Sequence, residues 1–126
     1  MKVSIIIPAR NEELGLVVLL PELTRQYPDA EIIVVNDGST DNTEQVCKDA
    51  GVIVVTHPYA KGNGAAVKSG ARVAIGDYLV FMDGDGQHCA ADVGRLLAKA
   101  EEGYDLVVGA RSGRDSQASV ARWSAN

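Results

Sequence analysis

Short, β-branched apolar runs alternate along the chain with longer segments of mixed polarity. Residues 3–7, 31–36, 52–56, 78–82 and 105–109 are each rich in apolar side chains at successive positions, the pattern of strands covered on both faces. Between them, residues 12–27, 41–50, 64–74 and 91–102 have the length and apolar spacing of helices. In the last of these, Val93, Leu96, Leu97 and Ala100 recur on one helical face. Pro21 cannot donate an interior helical hydrogen bond, so the first helix is expected to kink or divide there. The order β-α-β-α-β-α-β-α-β predicts an α/β, Rossmann-like domain with a mostly parallel central sheet flanked by helices.

Composition narrows the picture. With 126 residues, 46% of them apolar, the chain is long enough for one core. The longest uncharged stretch, residues 50–60, is 11 positions, well short of the roughly 18 a membrane span needs. Pro8 and Arg10 interrupt the N-terminal apolar run where a signal peptide would need a longer one, so that run is expected to be a strand. A net charge of −5 argues against a nucleic-acid partner. The charge is uneven. Residues 1–110 hold nine basic and sixteen acidic groups, whereas residues 111–126 hold Arg111, Arg114 and Arg122 against Asp115 alone. The basic C-terminal segment is expected to be solvated, with an approach to phosphates or anionic lipid as the alternative. Cys47 and Cys89 are too few for a disulfide framework or a zinc site, which fits a reduced, cytoplasmic setting.

In sheets of this kind, ligands bind outside the carboxyl ends of the strands, and the polar chemistry collects there. Asp83-Gly84-Asp85 directly follows the fourth run. Alternate side chains share a face in extended backbone, so Asp83 and Asp85 are placed to approach one hard cation, with Gln87 as a third oxygen ligand suited to magnesium or manganese. An ordinary Asp-Gly turn is the competing explanation. An EF-hand starting at Asp83 fails, because His88 and Gly94 stand where its glycine and final carboxylate belong. A haloacid-dehalogenase-type phosphatase with Asp83 as nucleophile is a weaker alternative, since only 41 residues follow Asp85.

The other strand ends differ in what they offer. Asp37 leaves the second strand before the helix cap expected among Ser39, Thr40 and Asp41, and is placed to accept an N–H from uracil or guanine. Lys61-Gly62-Asn63-Gly64 lets backbone approach an anion at a helix N-terminus, although it is a poor dinucleotide fingerprint. His57, beside Pro58, reads as a loop residue. His88 reads as a neighbour of the metal loop, and Cys47 and Cys89 as buried and unreactive. Trp123 beside Arg122 is a weak interfacial signal.

Five blocks in register, from Ser4-Ile5-Ile6-Ile7-Pro8-Ala9-Arg10-Asn11-Glu12 through Val35-Asn36-Asp37-Gly38-Ser39, Lys61-Gly62-Asn63-Gly64-Ala65-Ala66 and Met82-Asp83-Gly84-Asp85-Gly86-Gln87-His88 to Val108-Gly109-Ala110-Arg111, resemble family 2 glycosyltransferases of the GT-A fold. Polyprenyl-phosphate (dolichyl-phosphate) sugar synthases are the most similar in flavour. The resemblance implies an inverting hexosyltransferase that takes a UDP- or GDP-sugar donor and a Mg2+ or Mn2+ ion on Asp83, Asp85 and Gln87. Its acceptor would be a lipid phosphate or, alternatively, a saccharide hydroxyl. A non-catalytic donor-binding fragment is a further alternative.

Carried over residue by residue, the resemblance places Pro8, Ala9, Arg10, Glu12, Asp37, Lys61, Gly64, Asp83, Gly84 and Asp85 at the nucleotide sugar, and makes Asp83, Asp85 and Arg111 catalytic. Position 36 is Asn where many members have Asp, and Arg10 stands where a tyrosine is common. The resemblance also implies a nucleotide-sugar-binding domain over residues 1–110 and the start of an acceptor-side region over 111–126. It further implies a location at the cytoplasmic face of a membrane, reached through regions beyond this chain.

Overall fold

A computed structural model describes residues 2–84, 90–102, 106–110 and 117–122, the last two segments as backbone strands. The elements run β1 (Val3–Ala9), α1 (Glu13–Gln26), β2 (Glu31–Asp37), α2 (Thr43–Ala50), β3 (Ile53–His57), α3 (Asn63–Val73), β4 (Tyr78–Phe81), α4 (Ala91–Glu101), β5 (Leu106–Ala110) and β6 (Gln117–Arg122). They build one six-stranded sheet in the order β3-β2-β1-β4-β6-β5. β1 to β4 pair in parallel, whereas β6 runs antiparallel to both of its neighbours. The expected α/β arrangement with a mostly parallel sheet is therefore present.

Alternation along each strand feeds two cores. Ile5, Ile7, Val34, Val80 and Met82 pack with Leu16, Leu20 and Leu23 of α1, Cys47 of α2, and Val93 and Leu96 of α4. Ile6, Ile33, Val35 and Leu79 face the other way, against Ala66 of α3. Three helices thus cover one face and α3 the other. Chain connectivity explains the split: β1, β2 and β3 step in one direction across the sheet, and the chain must cross back to place β4 beside β1. The strand order reverses at β1/β4, the topological switch point where such sheets open a crevice.

Three expectations change. α1 is not divided at Pro21, which lies exposed within the continuous helix. His57 is the last residue of β3 and is buried, so it is not a loop residue. Gln117–Arg122, within the segment expected to be solvated, forms an inner strand bonded on both sides. β5 consequently meets the sheet through β6 and not through β4. The hydrogen-bonding demand of β4's outer edge recruits this late segment despite its small, polar composition.

Candidate functional site

The carboxyl ends of β2, β1 and β4 lie side by side, and a cleft of about 300 Å³ opens over them, lined by Pro8, Ala9, Arg10, Glu12, Asp37, Gly62, Asn63, Ala66, Asp83 and Gly84. Seven of the ten residues expected at the nucleotide sugar meet there: Pro8, Ala9, Arg10, Glu12, Asp37, Asp83 and Gly84. Lys61 and Gly64 do not line it. The Lys61 ammonium lies 5.4 Å from the Tyr59 ring centre, and its contribution is its backbone amide. Asp85, Gln87, His88, Cys89 and Arg111 lie outside the described residues, as does Trp123. Among the described residues, no group of three or more His, Cys, Asp or Glu side chains is placed to hold a metal ion.

The first two loops are clamped together. Asn11 adopts φ +54°, and its Oδ1 accepts from the Thr40 amide at 2.8 Å and the Asp41 amide at 3.3 Å. In return, Ser39 Oγ accepts from the Asn11 amide and Thr43 Oγ1 from the Glu12 amide, each at 3.0 Å. Asp41 lies one residue before the α2 cap position, where its carboxylate accepts from the Thr43 amide at 2.9 Å. Burial pushes the Asp41 carboxyl up, but its hydrogen bonds from Thr43 and the Glu13 amide hold it below its ordinary value. Asn36 is a turn builder: it is buried, with Oδ1 accepting from the Ser39 amide at 3.2 Å. Arg10 and Glu12 are thereby held at the cleft by a braced loop.

Asp37 accepts three hydrogen bonds at the cleft. Its Oδ1 accepts from His57 Nδ1 and from the Lys61 amide, both at 2.8 Å, and its Oδ2 accepts from the Gly62 amide at 2.9 Å. Burial alone would raise its pKa, but the Lys61 amide, the His57 imidazole and the Gly62 amide together hold it below the ordinary carboxylate value. Gly38 makes this closure sterically possible. It sits at φ +70°, and a Cβ there would come within 2.4 Å of the Ala60 backbone nitrogen. His57 is a site residue that the sequence did not reveal.

Asp83 follows β4 by two residues, and the Met82 amide extends the parallel pairing to Ile6 O at 3.1 Å. Gly84 then turns inward onto the core. A Cβ on it would lie 3.1 Å from Leu16 Cδ2 and 3.3 Å from Ile7 Cγ2, so a side chain here would crowd the core beneath the cleft. The hard carboxylate oxygens of Asp83 at this cleft fit a divalent cation of the magnesium or manganese type in donor chemistry.

The family model described as Glycosyl transferase family 2 matches residues 4–126. An undecaprenyl-phosphate 4-deoxy-4-formamido-L-arabinose transferase of Proteus mirabilis (strain HI4320) is 38% identical over 119 residues, covering 84% of this chain and 36% of that protein. Among solved structures, S. aureus TarS in complex with UDP-GlcNAc superposes with a TM-score of 0.73 at 26% identity, over 90% of this chain and 36% of the other. A mannosyltransferase from Pyrobaculum calidifontis in complex with GDP-Man and Mn2+ gives 0.62 at 25% identity, over 66% and 27%. The chain spans 36–46% of the length of the first curated relatives it matches.

Proposed function

The chain belongs to glycosyl transferase family 2 and has the GT-A fold, and on that premise we propose that its cleft holds the nucleoside diphosphate of a nucleotide-sugar donor. The observation that carries the reading is the convergence of Arg10, Glu12, Asp37 and Asp83 on one cleft at the strand-order reversal, beside the N-terminus of α3. Asp37 meets the base, and Arg10 lies over the nucleoside. The first turn of α3 presents amides toward the diphosphate. Asp83, with Asp85 and Gln87, would hold a Mg2+ or Mn2+ ion, which when bound supplies Lewis-acid stabilisation of the departing nucleoside diphosphate. Structures of relatives with UDP-GlcNAc, or with GDP-Man and Mn2+, support this reading.

The reaction is an inverting displacement at the anomeric carbon. The acceptor is a polyprenyl phosphate, a reading supported by relatives named as undecaprenyl-phosphate sugar transferases. Such a phosphate is already anionic and attacks without a general base, whereas a saccharide hydroxyl would require one. Arg111 contacts donor or acceptor phosphate, and the enzyme works at the cytoplasmic face of a membrane. No helix among the described residues is long and apolar enough to cross one. The phosphatase alternative is set aside: the chain belongs to a transferase family, and Asp83 follows the fourth strand of a GT-A sheet.

A thermal-shift panel of nucleoside diphosphates and their sugars, with and without Mn2+, tests the proposal. Ligands that bind the folded state raise Tm. A metal-dependent rise with UDP or GDP and their sugars is expected; a flat panel contradicts the reading.

A further inference from the structure

Asp37 and His57 are register partners on adjacent parallel strands. Both side chains follow Val35 and Val55 onto the sheet face covered by α3. There the His57 ring is bonded on both sides, Nδ1 to Asp37 Oδ1 and Nε2 to Ser69 Oγ, each at 2.8 Å. A carboxylate only accepts, so Nδ1 carries the hydrogen and donates it. Ser69 belongs to α3 and anchors the ring from behind.

The consequence is a count of acceptor positions. An ionised carboxylate offers about four, two on each oxygen. His57 and the Lys61 amide take both on Oδ1, and the Gly62 amide takes one on Oδ2. One position remains on a side chain that lines the cleft.

We propose that His57 is a positioning residue which, by filling Oδ1, limits Asp37 to a single acceptor and so makes this cleft select uracil over guanine. Uracil presents one imide N–H, at N3, between two carbonyls. Guanine presents N1–H and N2–H side by side and matches a carboxylate with both oxygens open. With Oδ1 committed, one guanine donor enters the site without a partner and bears its desolvation cost. The inference rests on the reading that Asp37 meets the base.

The test is calorimetric titration of UDP and of GDP, each with Mn2+, into the wild-type chain, His57→Asn and His57→Ala, with circular dichroism to establish folding. An asparagine amide replaces the Nδ1–H donor, whereas alanine removes it. Wild type is expected to bind UDP about tenfold or more tightly than GDP, the scale of one hydrogen bond to a charged group. His57→Asn keeps that preference. His57→Ala narrows it severalfold, because an Oδ1 position opens to guanine; a merely structural loss would weaken both nucleotides alike.

Equal or tighter binding of GDP by wild type overturns the inference but leaves the nucleotide-site reading intact. So does an unchanged ratio in folded His57→Ala. Binding of neither nucleotide refutes the underlying reading and the inference with it. If His57→Ala does not fold, the wild-type ratio and its retention in His57→Asn decide the matter.

Discussion

Asn11 and Thr40, 29 residues apart, are joined by a 2.8 Å hydrogen bond from the Thr40 amide to Asn11 Oδ1, and that bond ties the loop after β1 to the loop after β2. Asn11 supplies an acceptor and also tolerates a positive φ of 54°. Substitutions separate these contributions. Asn11→Asp keeps the acceptor and is expected to melt near wild type. Asn11→Gly keeps the backbone freedom but loses the bonds. Asn11→Ala loses both and is expected to be the least stable, by about 1–3 kcal/mol in denaturant unfolding.

Two glycines of α3 make opposite predictions. At Gly70, a Cβ would lie 2.4 Å from Ile6 Cγ2 and 3.2 Å from Val35 Cγ2. Gly70→Ala therefore overpacks the smaller core and should cost about 1–3 kcal/mol. At Gly64, nothing lies within 4 Å, so Gly64→Ala should raise stability by about 0.4–1 kcal/mol through the unfolded chain. Paired urea unfolding curves check both signs.

The Asp37 carboxyl titrates below its ordinary value of 3.8 in the folded chain. In the window between the two values the unfolded chain binds more protons, so stability rises with pH there. The stabilisation from Asp37 is present above about pH 4 and is lost as pH falls through its depressed folded value. Asp37→Asn turns an amide donor toward the backbone donors and should cost about 1–3 kcal/mol at neutral pH. Its deficit against wild type should shrink in acid. A deficit that stays constant down to pH 2 would contradict the ionised role of Asp37.

Cys47, on the inward face of α2, is fully buried, and burial, with a further contribution from Glu44, pushes its thiol up to about 11. In a Cys89→Ser background, native protein at pH 8 is expected to react with a thiol reagent orders of magnitude more slowly than after denaturation.

Much of this architecture is legible in the sequence because β1, β2 and β4 are covered on both faces and appear as apolar runs, and the edge strand β3 is β-branched along most of its length. Asp37 and Asp83 are visible for the same reason: each follows such a run. β6 is hidden because Gln117-Ala118-Ser119-Val120-Ala121-Arg122 has one β-branched residue and no apolar run; its strand character comes from pairing with β4 and β5. The role of His57 is hidden because it depends on register. Its contact with Asp37 spans 20 residues and exists only once β2 and β3 are aligned. The packing role of Gly84 is likewise tertiary, since Leu16 and Ile7 reach it from α1 and β1.

In the proposed function, Asp83 and its neighbours form a cation-dependent site for a nucleoside diphosphate. Calorimetric titration of UDP into wild type and Asp83→Ala, with Mn2+ and then with EDTA, tests it most directly. Wild type with Mn2+ is expected to bind UDP saturably, with binding weakened about tenfold or more both by EDTA and by the substitution. Binding that is equally tight in all four titrations, or absent from all four, would contradict it.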